Sequence, residues 1–293
     1  MPETDLADTA IEWFDANARD LPWRAPGTSG WAVLVSEVML QQTPVVRVLP
    51  AYHAWLARWP EPAALAADTP AEAIRMWGRL GYPRRAMRLH ECAVAIVARH
   101  GGVVPADLDA LLALPGVGAY TARAVAAFAY GQRQPVVDTN VRRFVARASR
   151  GKPDAGPTTT PADLADTEVL LPVEPARAAR ASAAFMELGA VVCTARSPRC
   201  TDCPVIDVCA WRAEGRPTPT GPTRRPQQYA GTDRQVRGLL LAVLREARGP
   251  VPAGQLDLVW ADAVQRDRAL RSLLDDGLVS PAGADRYALA GEA

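Results

Sequence analysis

The sequence predicts an all-α protein with a small module of helices and a hairpin at its end. Three observations carry that expectation. Apolar residues recur at helical spacing through most of the chain, a glycine turn LPGVG sits near its centre, and four cysteines crowd into 17 residues as C-x6-C-x2-C-x5-C. At 293 residues the chain is long enough to bury a sizeable core. No apolar run approaches a membrane span and the start has no basic-then-apolar leader, so a cytoplasmic protein with no membrane partner is expected, with a monomer as the default.

A formal net charge of +1 hides an uneven distribution. Residues 75–152 carry thirteen Arg and Lys against four Asp and Glu, whereas residues 1–74 carry four against ten. A basic middle with acidic flanks suits a groove that follows a phosphate backbone, and equally a set of solvated arginine-rich helices. Lys152 is the only lysine.

The first helix is expected over residues 4–18, where Leu6, Ala10, Ile11, Trp13 and Phe14 fall on one face. RDLPWR follows, Arg19 to Arg24; Pro22 keeps it out of the helix, and Trp23 reads as an aromatic plug. WAVLVSEVMLQQT, Trp31 to Thr43, is apolar on nearly every side, which marks a buried helix. Glu37 stands in its middle. A carboxylate among Val33, Leu34, Val38 and Leu40 is costly unless it is hydrogen-bonded, protonated or catalytic, and the residues alone leave a structural and a functional acid equally open. Gln41, Gln42 and Thr43 close this helix.

Helices follow at 45–59, 62–67, 70–78 and 84–100 on short Pro and Gly turns. GRLGYPRR, residues 78–85, is a loop that presents Tyr82 beside Arg84 and Arg85, an aromatic among cations able to stack on bases or wedge between them. In the central turn Leu111, Leu112 and Leu114 close an apolar face and Pro115 stops the helix. Gly116 and Gly118 are expected to supply the backbone angles of a tight hairpin. The next helix, starting near Tyr120, leaves unpaired amides backed by the positive end of its dipole, a seat for phosphate. An ordinary helix–helix turn has the same composition.

Asp138 precedes Thr139 and Asn140 at the start of a helix running to Arg150, so it reads as an N-cap. The same amides and dipole hold a carboxylate ionised. Residues 152–161 form a polar loop and 161–191 are mostly helical. Cys193, Cys200, Cys203 and Cys209 then indicate a metal centre before disulfides. Zinc ribbons present two CxxC pairs and here there is one; four thiolates in one tight loop suit a 4Fe-4S cluster better. Cys92, among apolar neighbours, reads as an inert core thiol. Residues 212–233, rich in Pro, Thr, Gly and Arg, form a linker. Helices at 234–247, 252–260 and 262–276 and two strands in GLVSPAGADRYAL make residues 234–293 a winged-helix-like module. Residues 253–293 hold four basic and seven acidic groups, which sets a structural role or a docked protein partner beside DNA reading.

LPGVGAYTA, with Asp138 about twenty residues on in VVDTN, and the cysteine spacing resemble the endonuclease III superfamily of DNA repair glycosylases. RDLPWR and SEVMLQQT resemble its adenine-specific, MutY-type branch. The resemblance covers roughly residues 10–211. It implies a two-lobed helix-hairpin-helix glycosylase fold, with 1–30 and 136–211 as the lobe of the 4Fe-4S cluster loop and 31–135 as a helical lobe ending in the hairpin. It further implies base excision repair of double-stranded DNA carrying an adenine mispair, in a nucleoid-associated setting. Arg19, Trp23 and Arg24 would wall the base pocket, with Asn140 next to the substrate; Leu40, Gln41, Gln42 and Tyr82 would fill the gap left by the flipped nucleotide. Gly116 and Gly118 would hold the DNA backbone, and Tyr120 would join Glu37 and Asp138 in catalysis. Arg196 and Arg199 would meet phosphates near the cluster, which serves folding before redox chemistry.

The implied reaction hydrolyses an N-glycosidic bond. Adenine leaves poorly as an anion and the sugar develops positive charge, so the site needs an acid near the purine and an anion near the sugar. Glu37, in apolar surroundings, is expected to supply the proton; Asp138 is expected to stay negative. Bifunctional members place a Schiff-base lysine two residues after the second hairpin glycine, where this chain has Tyr120, so a monofunctional enzyme is expected.

Two departures keep other readings open. The tail is short and mostly helical where many relatives add a β-rich domain that reads 8-oxoguanine, and VDTN replaces the common VDGN. The alternatives are a thymine glycosylase acting on G:T mismatches and a non-catalytic iron-sulfur DNA-binding regulator.

Overall fold

The computed structural model describes residues 4–218 and 228–292; the middle of the predicted linker, 219–227, lies outside the described residues. These residues fall into two compact units. One is drawn from Met1–Leu34, Pro105–Ala113 and Val117–Pro222, the other from Val35–Val104, Leu114–Gly116 and Thr223–Ala293. Among the described residues no helix is long and apolar enough to cross a membrane.

The first unit holds α1 (Thr4–Asn17), a 3-10 turn at Pro22–Arg24 and the start of α2 (Gly30–Leu40), then α7 (Leu108–Leu112), α8 (Ala119–Tyr130), α9 (Thr139–Arg150), α10 (Pro161–Leu170), α11 (Pro175–Val191) and α12 (Ala210–Ala213). The predicted helical stretch 161–191 is two helices. Pro172 has no N–H to continue the ladder, and the break lets Glu174 cap α11 through the amides of Ala176 and Arg177. α9 and α11 pack on each other, with the rings of Phe144 and Phe185 stacked at 5.3 Å and joined in the core by Phe14, Val141 and Leu188.

The second unit continues α2 and adds α3 (Val45–Arg58), α4 (Pro62–Ala66), α5 (Pro70–Trp77) and α6 (Arg84–His100). Trp55 meets Trp59 and Trp77 edge-to-face at 4.6 and 5.7 Å, an arrangement that suits the ring quadrupoles. The C-terminal module belongs to this unit: α13 (Asp233–Glu246), α14 (Ala253–Leu256), α15 (Ala263–Asp275) and three short strands, β1 (Val251–Pro252), β2 (Val279–Pro281) and β3 (Arg286–Leu289), in the antiparallel order β1-β3-β2. The two predicted strands are thus joined by a third, pairing Val251 with Tyr287. The predicted helix 252–260 shrinks to α14 and a 3-10 turn, because Val251 and Pro252 are drawn into the sheet.

This module is part of the unit's core. Ala71 and Ile74 of α5 sit in one apolar cluster with Val236, Leu240, Leu244 and Leu273. Arg75 donates to the carbonyls of Arg245 (3.2 Å) and Ala247 (2.7 Å) and pairs with Glu292, while Arg245 donates back to Ile74 at 3.1 Å.

Candidate active site

Asp138 is the N-cap of α9. Its Oδ1 accepts from the amides of Asn140 (2.8 Å) and Val141 (2.7 Å), and its Oδ2 accepts from Asn140 Nδ2 (2.8 Å). The cap role read from sequence therefore holds, with a side-chain donor added. The charge balance is less one-sided than expected: burial raises the carboxyl above the ordinary aspartate value, against those three donors and the nearby Arg143.

Asn140 extends this arrangement. Its Oδ1 accepts from Arg143 at 2.8 Å, and Arg143 Nε donates to the carbonyl of Cys193 at 2.7 Å. A second Arg143 bond goes to the carbonyl of Gly189. Gly189 is required there by a close approach, because a Cβ on it would stand 2.4 Å from the backbone oxygen of Asn140.

A second group forms around a residue that the sequence did not single out. Glu187 on α11 is fully buried and receives Arg19 at Nε (2.6 Å), Nη2 (2.7 Å) and backbone N (3.2 Å), together with Arg24 Nη2 at 2.8 Å. Burial alone would push this carboxyl up. The two guanidinium groups overcome that and bring it down to about 2. Arg19 and Arg24 thus spend donors on Glu187, and the chain between them is pinned, with Trp23 8 % exposed. Tyr120 is half-buried and packs with Phe128 and Met186 against a cluster that includes Ala124 and Val136.

In the second unit, Glu37 is 5 % exposed on α2, as its apolar surroundings required. α2 ends at Leu40, earlier than the predicted Thr43, and Gln41, Gln42 and Thr43 form a turn. Gln42 is exposed and Tyr82 is 53 % exposed. Arg85 donates to the carbonyls of Val38, Met39 and Gln41 at this turn.

The hairpin glycines differ from expectation. Gly116 has φ +76°, and a Cβ there would stand 2.7 Å from Cβ of Arg88, so conformation and space both demand glycine. Gly118 has the ordinary φ of −93°. Its contribution is the missing side chain: as N-cap of α8 it makes no side-chain cap and leaves open space above the first amides.

Cys193 follows α11 directly, and Cys200, Cys203 and Cys209 lie on or beside two 3-10 turns, Cys200–Asp202 and Ile206–Val208. All four are half-buried and free of disulfides. Burial lifts the Cys203 thiol to about 11, and the charges of the other three cysteines push it in the same direction. Among the described residues no three Cys, His, Asp or Glu converge on a single ion. A cubane asks for no such convergence, since each thiolate binds a different iron. Arg147, 4 % exposed, braces the loop: it donates to Cys193 Sγ (3.5 Å) and the carbonyls of Thr194 (2.8 Å), Ala195 (3.1 Å) and Pro153 (2.9 Å), and stacks on Trp211 at 4.6 Å. Donor chemistry and bracing fit a 4Fe-4S group, which would supply a rigid cross-link for this loop. Arg196 and Arg199 are exposed beside it, with Arg199 donating to Val191 O at 2.7 Å.

Comparison with known proteins agrees. Residues 35–167 match the model of the HhH-GPD superfamily base excision DNA repair proteins, and residues 193–209 match that of the iron-sulfur binding domain of endonuclease III. An adenine DNA glycosylase of Mycobacterium tuberculosis is 57% identical over 289 residues, covering 98% of this chain and 94% of that protein. One from Mycolicibacterium smegmatis is 59% identical over 283 residues, covering 96% and 95%. A solved thermostable thymine-DNA glycosylase superposes with a TM-score of 0.66 at 25% identity, covering 73% of this chain and 97% of that one. The loop of residues 193–209 binds a 4Fe-4S cluster, and the chain is a DNA-binding repair glycosylase. It belongs to the MutY-type adenine DNA glycosylases of the endonuclease III, helix-hairpin-helix superfamily.

Proposed function

We propose that this protein removes adenine mispaired with 8-oxoguanine or guanine by hydrolysing its N-glycosidic bond. The observation that carries the reading is the Asp138 carboxylate, held by three donors at the start of α9 in a chain whose relatives are adenine DNA glycosylases. Glu37 protonates the purine as the bond to C1′ breaks, so that adenine leaves neutral. Asp138 meets the positive charge on the sugar, and water adds to C1′ while the proton it loses restores the Glu37 acid. Tyr120 stands near the sugar or base, and Asn140 fixes the Asp138 carboxylate. With Tyr120 in the position of the Schiff-base lysine, release occurs without strand cleavage.

The Glu187 group supports a base pocket on the first unit: it fixes Arg19 and Arg24 and so places Trp23 against the base. Leu40, Gln41, Gln42 and Tyr82 fill the duplex where the nucleotide has left, and the open N-terminus of α8 with Gly116 and Gly118 seats the backbone. The protein acts as a cytoplasmic, nucleoid-associated monomer, its C-terminal module bracing α5 or receiving a protein partner. Excision assays on duplexes with adenine opposite 8-oxoguanine, adenine opposite guanine, and thymine opposite guanine test the reading. Adenine release from the first two supports it, and release of thymine alone would overturn it.

A further inference from the structure

Arg85, at the start of α6, reaches in two directions. Nη1 donates to the carbonyls of Val38 (2.8 Å), Met39 (3.1 Å) and Gln41 (2.6 Å), the groups that the end of α2 leaves without helix partners. Nη2 donates to Thr43 Oγ1 at 3.0 Å and to Gly81 O at 3.1 Å. The guanidinium carbon lies 5.1 Å from the Trp77 ring and 5.5 Å from the Tyr82 ring, within cation–π range. One side chain therefore ties the turn after α2 to the loop between α5 and α6.

Each tied segment carries a strained residue. Gln42 has φ 55° and Tyr82 has φ 48°; only two other non-glycine residues with positive φ occur among the described residues, Arg216 and Asp285. Such backbone persists where surroundings over-determine it, and it gathers at functional sites. The same arginine supplies that constraint to both. Its Nε is buried with no partner among the described residues, a cost that the remaining bonds must offset. Lysine could not replace this fork, since a compact ammonium makes fewer bonds and does not lie flat against two rings.

We infer that Arg85 is a positioning residue for base extrusion, locking the Gln41–Gln42 turn and the Tyr82 loop into one preset wedge that enters the duplex as the target nucleotide leaves. The inference rests on the proposed role of that turn and loop in filling the gap.

The test follows extrusion and release separately in the full-length protein with its cluster. A duplex with adenine opposite guanine carries 2-aminopurine beside the target, and a second duplex adds unpaired flanking bases so that the target is already loosened. Arg85→Lys is expected to slow the fluorescence step and single-turnover release by about tenfold on the paired duplex, the size of one lost charge-assisted hydrogen bond, with little effect on the loosened one and unchanged binding. Thr43→Val, which deletes one Arg85 acceptor, is expected to show the same substrate dependence at smaller size and serves where Arg85→Lys folds poorly. Equal slowing on both duplexes, or none, would overturn the inference. Gln42→Ala and Tyr82→Ala separate the two readings. If they slow extrusion and the Arg85 and Thr43 variants do not, the inference alone falls; if they leave extrusion untouched, the wedge reading falls and takes the inference with it.

Discussion

The carboxylate of Asp138 and the backbone carbonyl of Cys193 are joined through two side chains: Asn140 Nδ2 donates to Asp138 Oδ2, and Arg143 donates both to Asn140 Oδ1 and to Cys193 O, each step between 2.7 and 2.8 Å. The cysteine loop and the capped carboxylate thus share one track of hydrogen bonds. Disturbing either end should be felt at the other.

Asn140→Ala removes a donor from the ionised form of Asp138. Its carboxyl, already raised by burial, should rise further, moving the acidic limb of the release profile to higher pH and lowering single-turnover release roughly 10- to 100-fold. A pH series of release rates checks this; an unshifted limb would show that Asn140 does not tune Asp138.

Asp138→Asn tests the linkage directly. Because burial raises the folded-state value, the stability that this group contributes is present below the unfolded value and lost as pH rises through the folded one. The stability of Asp138→Asn relative to the native chain should therefore improve as pH rises from the ordinary aspartate value upward, while excision collapses. Denaturant melts across that range read the difference.

Glu187 has the opposite sign. Held down to about 2 by Arg19 and Arg24, it contributes stability above the ordinary glutamate range that is lost as pH falls toward 2. Glu187→Gln should cost about 2–3 kcal/mol at neutral pH, discounted from a fully buried pair because Arg19 is partly exposed, and the deficit should shrink in acid. Urea melts at neutral and acidic pH measure it.

Gly189→Ala places a methyl 2.4 Å from the Asn140 oxygen, against backbone that cannot swing away. It should destabilise by about 1–3 kcal/mol and reduce excision by moving the start of α9. Removing iron with a chelator should likewise lower excision, by freeing the Cys193 end of the track; absorbance of the cluster followed alongside activity checks the link.

Local chemistry made much of this legible in the sequence. Pro115, Gly116 and the tight cysteine spacing declare a turn and a metal loop within a few residues, and Asp138 before Thr139 declares a cap. Glu37 stood out because a charge in an apolar helix has no cheap explanation. Glu187 did not, since its meaning comes from Arg19 and Arg24, which are 168 and 163 residues away. Gly189 and Arg143 take their roles from the α9–α11 contact, and Arg85 from meeting the end of α2; no period or motif encodes such neighbours. Gly118 was read for its backbone angle when its lack of a side chain is what counts. The C-terminal module's junction with Ile74 and Arg75 spans about 170 residues of chain, and nothing in the linker's composition announces it.

Single-turnover base release by the native protein and by Glu37→Gln, on adenine opposite 8-oxoguanine, is the most direct trial of the division of labour between the two acids. The account predicts adenine release by the native chain, none by Glu37→Gln, and binding of the same duplex largely intact. Undiminished release by Glu37→Gln would contradict it.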